Sequence, residues 1–163
     1  MTVELHQAAL EDLSEIAAIY TKNWQHTYKD SLPAEFLQAM NIKESEKKWH
    51  QFLATKGNRL LVAEMEGHVA GFVAVSKEPE LENTRYIDSL HVSSAFQNRG
   101  IGSLLLRKVL ADIRQEGKQA TICILRGNDR ARAVYTKLGA VHLKYFEDTL
   151  GGTTTQSEKL IWQ

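Results

Sequence analysis

The segment from residue 85 to residue 125 constrains the fold of this chain more than any other. Residues 85–92 are rich in β-branched and apolar side chains, residues 101–115 have the apolar period of an amphipathic helix, and residues 120–125 form a second apolar run. A helical crossover is how two parallel strands of one sheet are joined. The sequence therefore predicts a sheet with a parallel pair and a helix packed on it through Ile101, Leu104, Leu105, Val109 and Ile113.

The rest of the chain predicts antiparallel strands and flanking helices. Residues 59–65 and 69–75 read as a hairpin, and residues 3–6, 141–146 and 158–162 as further strands. Helices are predicted at residues 11–23, 33–40, 44–54 and 129–138, with loops at residues 24–32 and 149–156. No linker or repeat interrupts the chain. We therefore expect one domain, residues 1–163, of the mixed α/β class, with a mostly antiparallel sheet and helices on its faces.

Charge disfavours a nucleic-acid partner. The chain has 20 basic and 20 acidic residues, so no overall field attracts a polyanion. The charges are nevertheless segregated: residues 1–96 carry 9 basic and 14 acidic side chains, and residues 97–137 carry 9 and 3. A local basic stretch in a neutral protein suggests a compact anionic ligand.

Cysteine content and hydropathy favour the cytoplasm. Cys123 is the single cysteine, and no apolar run reaches the roughly 18 residues of a membrane span. The N-terminus lacks the basic and apolar regions of a signal peptide. The six histidines show no ligand spacing, so we expect no metal and no membrane partner.

Two glycines mark a candidate phosphate-binding loop. Gly100 and Gly102 stand between the strand at 85–92 and the helix at 101–115, where the free N–H groups of a first helical turn can bind an anion. The pattern is neither the dinucleotide-binding fingerprint nor a P-loop, because Leu105 replaces the third glycine and no lysine follows Gly102. On its own, this pattern fits a plain strand–helix turn equally well.

A second element downstream makes the pattern specific. The chain resembles the GCN5-related N-acetyltransferase (GNAT) superfamily in Gln97-x-x-Gly100-x-Gly102 and in the later Asn-x-x-Ala-x-x-x-Tyr-x-x-x-Gly. Asn128, Ala131, Tyr135 and Gly139 carry the second pattern. The resemblance extends over residues 60–146 and, by element order alone, over residues 3–56.

The resemblance implies acetyl-CoA as cosubstrate in a gap between two splayed central parallel strands. Backbone groups of Leu90 and Val92 would bind pantetheine, the Leu90 N–H would meet the thioester carbonyl, and the amides of residues 98–103 would bind the pyrophosphate. Asn128 would bind the pantetheine arm, and Arg99, Arg130 or Lys137 the ribose phosphate. The residues that would bind the cosubstrate are Leu90, His91, Val92, Gln97, Asn98, Arg99, Gly100, Ile101, Gly102, Ser103, Asn128, Ala131, Tyr135 and Lys137.

Proton transfer is expected from two side chains. Tyr135, two helical turns beyond Asn128, would protonate the leaving thiolate. Period 2 predicts that Asp88 shares a strand face with Tyr86, Leu90 and Val92, and that His91 lies on the opposite face. Asp88 would then serve as base, bind the substrate ammonium or order a loop. Cys123 is expected to be a small core residue.

Trp24 and Tyr28 are expected either to line the acceptor site, together with Tyr86 and Asp88, or to pack the first helix on the sheet. The aromatic segment 24–30 lacks a regular period, and the polar loop at 149–156 would close over the acceptor or mediate a homodimer contact. The acidic N-terminal part favours a cationic or neutral amine. The predicted activity is direct acetyl transfer to an amine of a small molecule or peptide, and a non-catalytic acyl-CoA sensor of the same fold is the alternative.

Overall fold

A computed structural model describes residues 2–163 as one continuous seven-stranded sheet with helices on both faces. Two short 3₁₀ turns lie at Leu10–Asp12 and Ser94–Phe96. The elements are β1 (Glu4–Gln7), α1 (Leu13–Thr27), α2 (Ala34–Ala39), α3 (Ile42–Ala54), β2 (Arg59–Met65), β3 (His68–Lys77), β4 (Thr84–Val92), α4 (Ile101–Gln115), β5 (Gln119–Leu125), α5 (Asp129–Lys137), β6 (Val141–Leu150) and β7 (Thr153–Trp162).

The strand order confirms the mixed, mostly antiparallel sheet. It runs β1-β2-β3-β4-β5-β7-β6, and every neighbouring pair is antiparallel except β4 and β5. Strands β4 and β5 pair only through residues 84–87 and 119–122. Beyond these residues the two strands separate, so the expected gap between two splayed parallel strands is present.

The helices cover the sheet on opposite faces and form two cores. On one face Leu105 of α4 and Tyr135 of α5 form a core with sheet residues such as Ile87, and on the other the fully buried Trp49 of α3 packs with Phe72 of β3 and with α1. Burying one such large apolar side chain contributes about 1.5–3 kcal/mol, so both cores stabilise the sheet on either side of the gap. On α4, Leu104 is 40% exposed, and Leu106 is buried in its place, contrary to the predicted apolar face.

A β-bulge in β4 overturns the predicted strand faces. Ala74 pairs with Ser89 and Val75 pairs with Ile87, so Asp88 is an extra residue in the ladder. The alternation of faces shifts at this point. Leu90, Val92 and Ile87 consequently face α4, whereas Tyr86 pairs with Ser76 on the same face as His91.

Two predicted loops contain regular structure. Residues 24–27 of the first loop are helical, whereas residues 28–32 are irregular as predicted, and most of the second loop is strand. Helix α1 continues to Thr27, because Tyr20, Trp24 and Tyr28 recur every four residues and their rings contact one another. The segment 149–156 is the end of a β6–β7 hairpin that turns at Gly151 and Gly152. An added Cβ at Gly151 would lie 2.6 Å from Phe36, so the hairpin tip lies directly against α2.

Candidate active site

Two cavities meet where β4 and β5 separate. The large cavity has a volume of about 900 Å³ and the small cavity about 370 Å³. Both are lined by Trp24, Tyr28, Asp88, Cys123 and Ile124. A ligand in the large cavity can therefore meet a second ligand in the small cavity at these five residues.

The glycine loop forms one end of the large cavity. Asn98 and Gly100 have φ of 63° and 76°, and Gly100 is the N-cap of α4 without a side-chain hydrogen bond to the first turn. No heavy atom lies within 4 Å of where a Cβ on Gly100 would stand. Helix starts need partners for their first N–H groups, and backbone amides turned inward in this way bind anions. The open, uncapped loop fits a phosphate group.

The edge of β4 forms a second wall, with backbone groups that no neighbouring strand pairs. Ser93 N donates to Ala70 O of β3 at 2.8 Å, and antiparallel ladders alternate the direction of successive backbone groups. The backbone groups of Leu90 and Val92 therefore point away from β3 into the gap. Asn23 Nδ2 donates to Val92 O at 3.0 Å across the gap, which agrees with this direction. The Leu90 N–H is thus aimed at any group that lies between the strands.

Asn128 lines the large cavity at the start of α5 and contacts Tyr28, which lines both cavities. Its Oδ1 accepts from Ala131 N at 3.4 Å and caps α5, and its Nδ2 donates to Tyr28 Oη at 3.4 Å. Burial raises the pKa of Tyr28, and the hydrogen bond from Asn128 offsets part of this effect. Asn128 therefore already holds an acceptor-side tyrosine, which the sequence spacing did not indicate.

Tyr135 lies in the wall of the large cavity, as its position on α5 predicts. Its ring packs edge-to-face on Trp162, with 6.1 Å between centroids, and the residue is 8% exposed. Its hydroxyl forms no hydrogen bond with another side chain or backbone group of residues 2–163. Burial, with a smaller contribution from Tyr28, raises the pKa of Tyr135 above its usual value near 10. The phenol is therefore protonated at neutral pH.

Asp88 and Cys123 lie at the junction of the cavities. The half-buried Asp88 accepts from Ser89 Oγ at 3.0 Å, and the bulge turns it toward the gap. Cys123 is half-buried and lines both cavities, so the prediction of a core cysteine is wrong. Burial raises the pKa of the Cys123 thiol, and it raises that of the nearby Tyr86 hydroxyl as well. Tyr86 lines the small cavity beside Asp88.

His91 faces α1 and lines the large cavity. Its ring lies 5.4 Å from that of Tyr20 and 5.5 Å from that of Phe72. Burial, with a smaller contribution from Lys48, lowers the pKa of His91 to about 4. The imidazole is therefore neutral at physiological pH, and its Nδ1 lies 3.3 Å from Asn23 Nδ2.

The basic side chains predicted to meet a ribose phosphate are placed differently. Arg99 is exposed, lies over the Phe96 ring at 5.5 Å and donates to Met65 Sδ at 3.8 Å, so its side chain lies outside the wall of the large cavity. Lys137 is exposed and does not line the large cavity. Arg130 does line it and donates to Asn98 Oδ1 at 3.2 Å. Of the three, Arg130 alone remains in a position to meet an anion there.

The two cavities carry opposite charge. The wall of the large cavity has three cations and one carboxylate, and the wall of the small cavity has four carboxylates and one cation. The helices α1 and α3 supply two of these cations, which the sequence analysis missed because helix positions far apart along the chain give no sign that they share a cavity. The groups are Lys22, Lys48, Arg130 and Asp88 in the large cavity, and Glu78, Glu80, Asp88, Asp148 and Lys159 in the small cavity.

Within residues 2–163, no three His, Cys, Asp or Glu side chains form a group that could hold a metal ion. No helix in the same range is long and apolar enough to cross a membrane.

Comparisons with known proteins agree with the resemblance. Residues 13–140 match the family model described as the acetyltransferase (GNAT) family. The uncharacterized N-acetyltransferase YuaI of Bacillus subtilis is 31% identical over 120 residues, which are 71% of this chain and 66% of YuaI, slightly under two thirds of that protein.

Solved structures share the fold. A ribosomal-protein-alanine N-acetyltransferase from Brucella melitensis superposes with a TM-score of 0.80 at 21% identity, over 98% of both chains. An N-acetyltransferase from Staphylococcus aureus gives 0.81 at 17% identity, over 100% of this chain and 99% of that one. The paia N-acetyltransferase from Thermoplasma acidophilum, in complex with coenzyme A, gives 0.74 at 19% identity over 98% and 99%.

Proposed function

The chain belongs to the GNAT acetyltransferase family, and from this premise we propose that it transfers an acetyl group from acetyl-CoA directly to an amine. The observation that carries the proposal is the large cavity between β4 and β5. It has an uncapped, glycine-started helix at one end and free β4 backbone groups along its wall. The acceptor is an amine of a small molecule or peptide in the small cavity, and both substrates are bound together.

The residues of the large cavity suit a long, phosphorylated thioester. The amides of residues 98–103 would hold the pyrophosphate, with Arg130 close by, and Lys22 and Lys48 add positive charge to the cavity wall from α1 and α3. Leu90 and Val92 would bind the pantetheine arm as a further strand binds a sheet edge. The Leu90 N–H would then stabilise the negative charge on the carbonyl oxygen, a type of contact that contributes about 2.7–4 kcal/mol in comparable sites.

Asp88 would assist deprotonation of the acceptor. An alkylammonium with a pKa near 10.4 costs about 4.6 kcal/mol to deprotonate at pH 7. Asp88 lines both cavities, so its carboxylate can take that proton directly or through a water molecule. The amine nitrogen then forms a bond to the acetyl carbon while the carbon–sulfur bond breaks.

Tyr135 would complete the reaction as the proton donor. The sulfur leaves as a thiolate of pKa near 8.5, and a phenol held protonated by burial can donate a proton to it. The nitrogen passes its second proton to the Tyr135 phenolate, so the products are the amide, free CoA thiol and the proton taken by Asp88. His91 contributes no proton at neutral pH because it is already neutral.

Ligand-dependent stabilisation tests the cosubstrate site. CoA at 100 times its dissociation constant should add about 2.7 kcal/mol to the free energy of unfolding, visible as a rise in melting temperature. Gly102→Glu should abolish this rise, because its side chain would enter the phosphate space. Gly102 is substituted rather than Gly100 because Gly102 is helical and its added Cβ would meet only Val92, at 3.5 Å. A side chain at Gly100 would instead be strained by the positive φ of that residue.

Leu104→Glu is the matched control. It places the same carboxylate on α4, at a residue that is 40% exposed and outside the cavity wall, so its response to CoA should equal that of the wild type. If the Gly102→Glu variant folds and CoA still raises its melting temperature as in the wild type, the glycine loop is not the phosphate-binding site. Stabilisation by CoA without thiol release from acetyl-CoA, with any of a panel of amines, would favour a sensor over an enzyme.

A further inference from the structure

We propose that the small cavity selects a short aliphatic diamine as the acceptor. The inference rests on the proposed acetyl transfer and names its substrate class. One ammonium would lose a proton and be acetylated at the junction of the cavities, and the second would stay charged at the outer end.

The first argument is the pairing of the carboxylates. Lys159 pairs with Glu78 and also lies 3.5 Å from Glu80, which Lys144 contacts from outside the cavity. Asp88 and Asp148 form no ion pair with any residue of 2–163. Their bonds are to neutral donors, from Ser89 Oγ at 3.0 Å and from Thr149 N at 2.8 Å. Two negative charges in the wall therefore have no cationic partner in the protein.

The second argument is the position of these two carboxylates. Asp88 borders both cavities, whereas Asp148 borders the small cavity alone and is exposed at its rim. The reacting nitrogen must lie at the junction, because the thioester is in the large cavity. A second cation at the far end of the same molecule would meet Asp148.

The third argument is the absence of a free cation in the small cavity. Lys159 is the single Lys or Arg in its described wall, and its side chain is 6% exposed and held by Glu78. An acceptor with a carboxylate, such as an amino acid, would face four acidic groups and no unpaired base. The large cavity, by contrast, has a net positive wall that suits an anionic ligand.

The fourth argument is size and surface. At about 30 Å³ for each water-sized group, 370 Å³ holds about a dozen non-hydrogen atoms. The same wall also carries apolar side chains, with the rings of Trp24 and Tyr28 4.7 Å apart and Phe146 and Leu150 from the hairpin. Methylene groups pack on such a surface, and aromatic faces also attract an ammonium.

The chemistry balances without another reactant. A diammonium alkane and acetyl-CoA give the monoacetylated monoammonium product, CoA thiol and one proton. One carbon–nitrogen bond forms, one carbon–sulfur bond breaks, and the second ammonium is unchanged. The product has lost the charge at the junction, which weakens its attraction to Asp88 and favours its release.

The test compares 1,4-diaminobutane with n-pentylamine, in which a methyl group replaces the second ammonium. We expect kcat/KM for thiol release to be about fivefold higher or more with the diamine, as one added ion pair in a partly solvated site provides about 1 kcal/mol. The anionic analogue 4-aminobutanoate should be slower than pentylamine. A tripeptide with a free N-terminus is the peptide probe.

Asp148→Asn supplies the structural readout. It should lower the ratio of diamine to pentylamine kcat/KM by about threefold to fivefold. Glu147→Gln is the matched control on the same strand, because its carboxylate bonds to Gln156 and lies outside the cavity wall. Calorimetric titration of the CoA-loaded protein with both amines measures binding without turnover.

The outcomes separate the two proposals. Turnover of pentylamine or the tripeptide at least equal to that of diaminobutane would overturn the diamine while supporting acetyl transfer. If Asp148→Asn leaves the ratio of diamine to pentylamine kcat/KM unchanged, the diamine proposal is also overturned. If the diamine binds more tightly than pentylamine in calorimetry but no amine is acetylated, the small cavity is supported as a diamine site and the proposed acetyl transfer is overturned. If the diamine neither binds nor is acetylated, the inference is wrong.

Discussion

Replacing Tyr135 with phenylalanine separates its hydroxyl from its ring. The ring is almost fully buried against Trp162, and Phe keeps that contact. The hydroxyl forms no hydrogen bond with residues 2–163, so its loss removes no pairing within the protein. We therefore expect the melting temperature and the response to CoA to stay close to those of the wild type.

Turnover, by contrast, should fall by about 10²-fold or more, the lower end for a positioned proton donor. This corresponds to about 2.7 kcal/mol of transition-state stabilisation. Since burial raises the pKa of Tyr135, the wild-type rate should show no loss from its ionisation at neutral pH. A thioester whose thiol is more acidic than CoA should be affected less, because its thiolate leaves without a proton.

The assay is single-turnover thiol release with saturating acetyl-CoA, which isolates the chemical step. Tyr145→Phe is the matched control, because Tyr145 is 70% exposed on β6 and lies outside both cavities. Tyr28→Phe tests the neighbouring phenol, which also lines the large cavity. An unchanged single-turnover rate in Tyr135→Phe would refute the role of Tyr135 as proton donor. A lower rate in Tyr28→Phe would then indicate that Tyr28 is the donor.

Two further variants address the acid–base chemistry and the buried ion pair. Asp88→Asn should lower the rate at pH 7, and the rate should recover in part toward pH 10 because free amine becomes available. An equal loss of rate at every pH would indicate that Asp88 has a binding or folding role instead. Lys159→Met should cost about 3–5 kcal/mol of unfolding free energy in urea titration, because it leaves the buried Glu78 carboxylate without its cationic partner, and adding Glu78→Gln should restore most of it. Burial raises the pKa of Glu78, but Lys159 and two backbone amides outweigh this and hold it below its usual value. Wild-type stability from this pair should therefore be complete above about pH 4.3 and fall as the pH drops further, which acid titration of the melting temperature checks.

Local patterns were sufficient to predict most of the elements. The bounds of β2 and α4 are those predicted, and the other elements differ mainly at their ends. The glycine loop and α5 were also predictable, because turn residues and helix caps act over a few neighbouring positions. The aromatic repeat Tyr20, Trp24 and Tyr28 carried the signal for a longer α1 that the sequence analysis missed.

The faces of β4 were not predictable from period 2. The bulge at Asp88 arises from the pairing of β4 with β3, and a period read along one strand cannot detect a residue that its partner skips. The same limit applies to Arg99, whose side chain turns to Phe96 and Met65. A basic residue beside a glycine loop has the same local sequence whether it faces the loop or lies over a neighbouring side chain.

The sequence by itself therefore determined the family, the order of elements and the loop whose free amides suit a phosphate, since each of these follows from neighbouring residues. Only the tertiary structure decided which charges share a cavity. Glu78, Asp88 and Asp148 come from separate parts of a neutral chain, and the pairing of β5 with β7 and β7 with β6 brings them to one wall. Ion pairing then removes Glu78 from the available charge and leaves Asp88 and Asp148 for a ligand. Burial and pairing depend on contacts between distant residues, and the linear order of charges does not contain them.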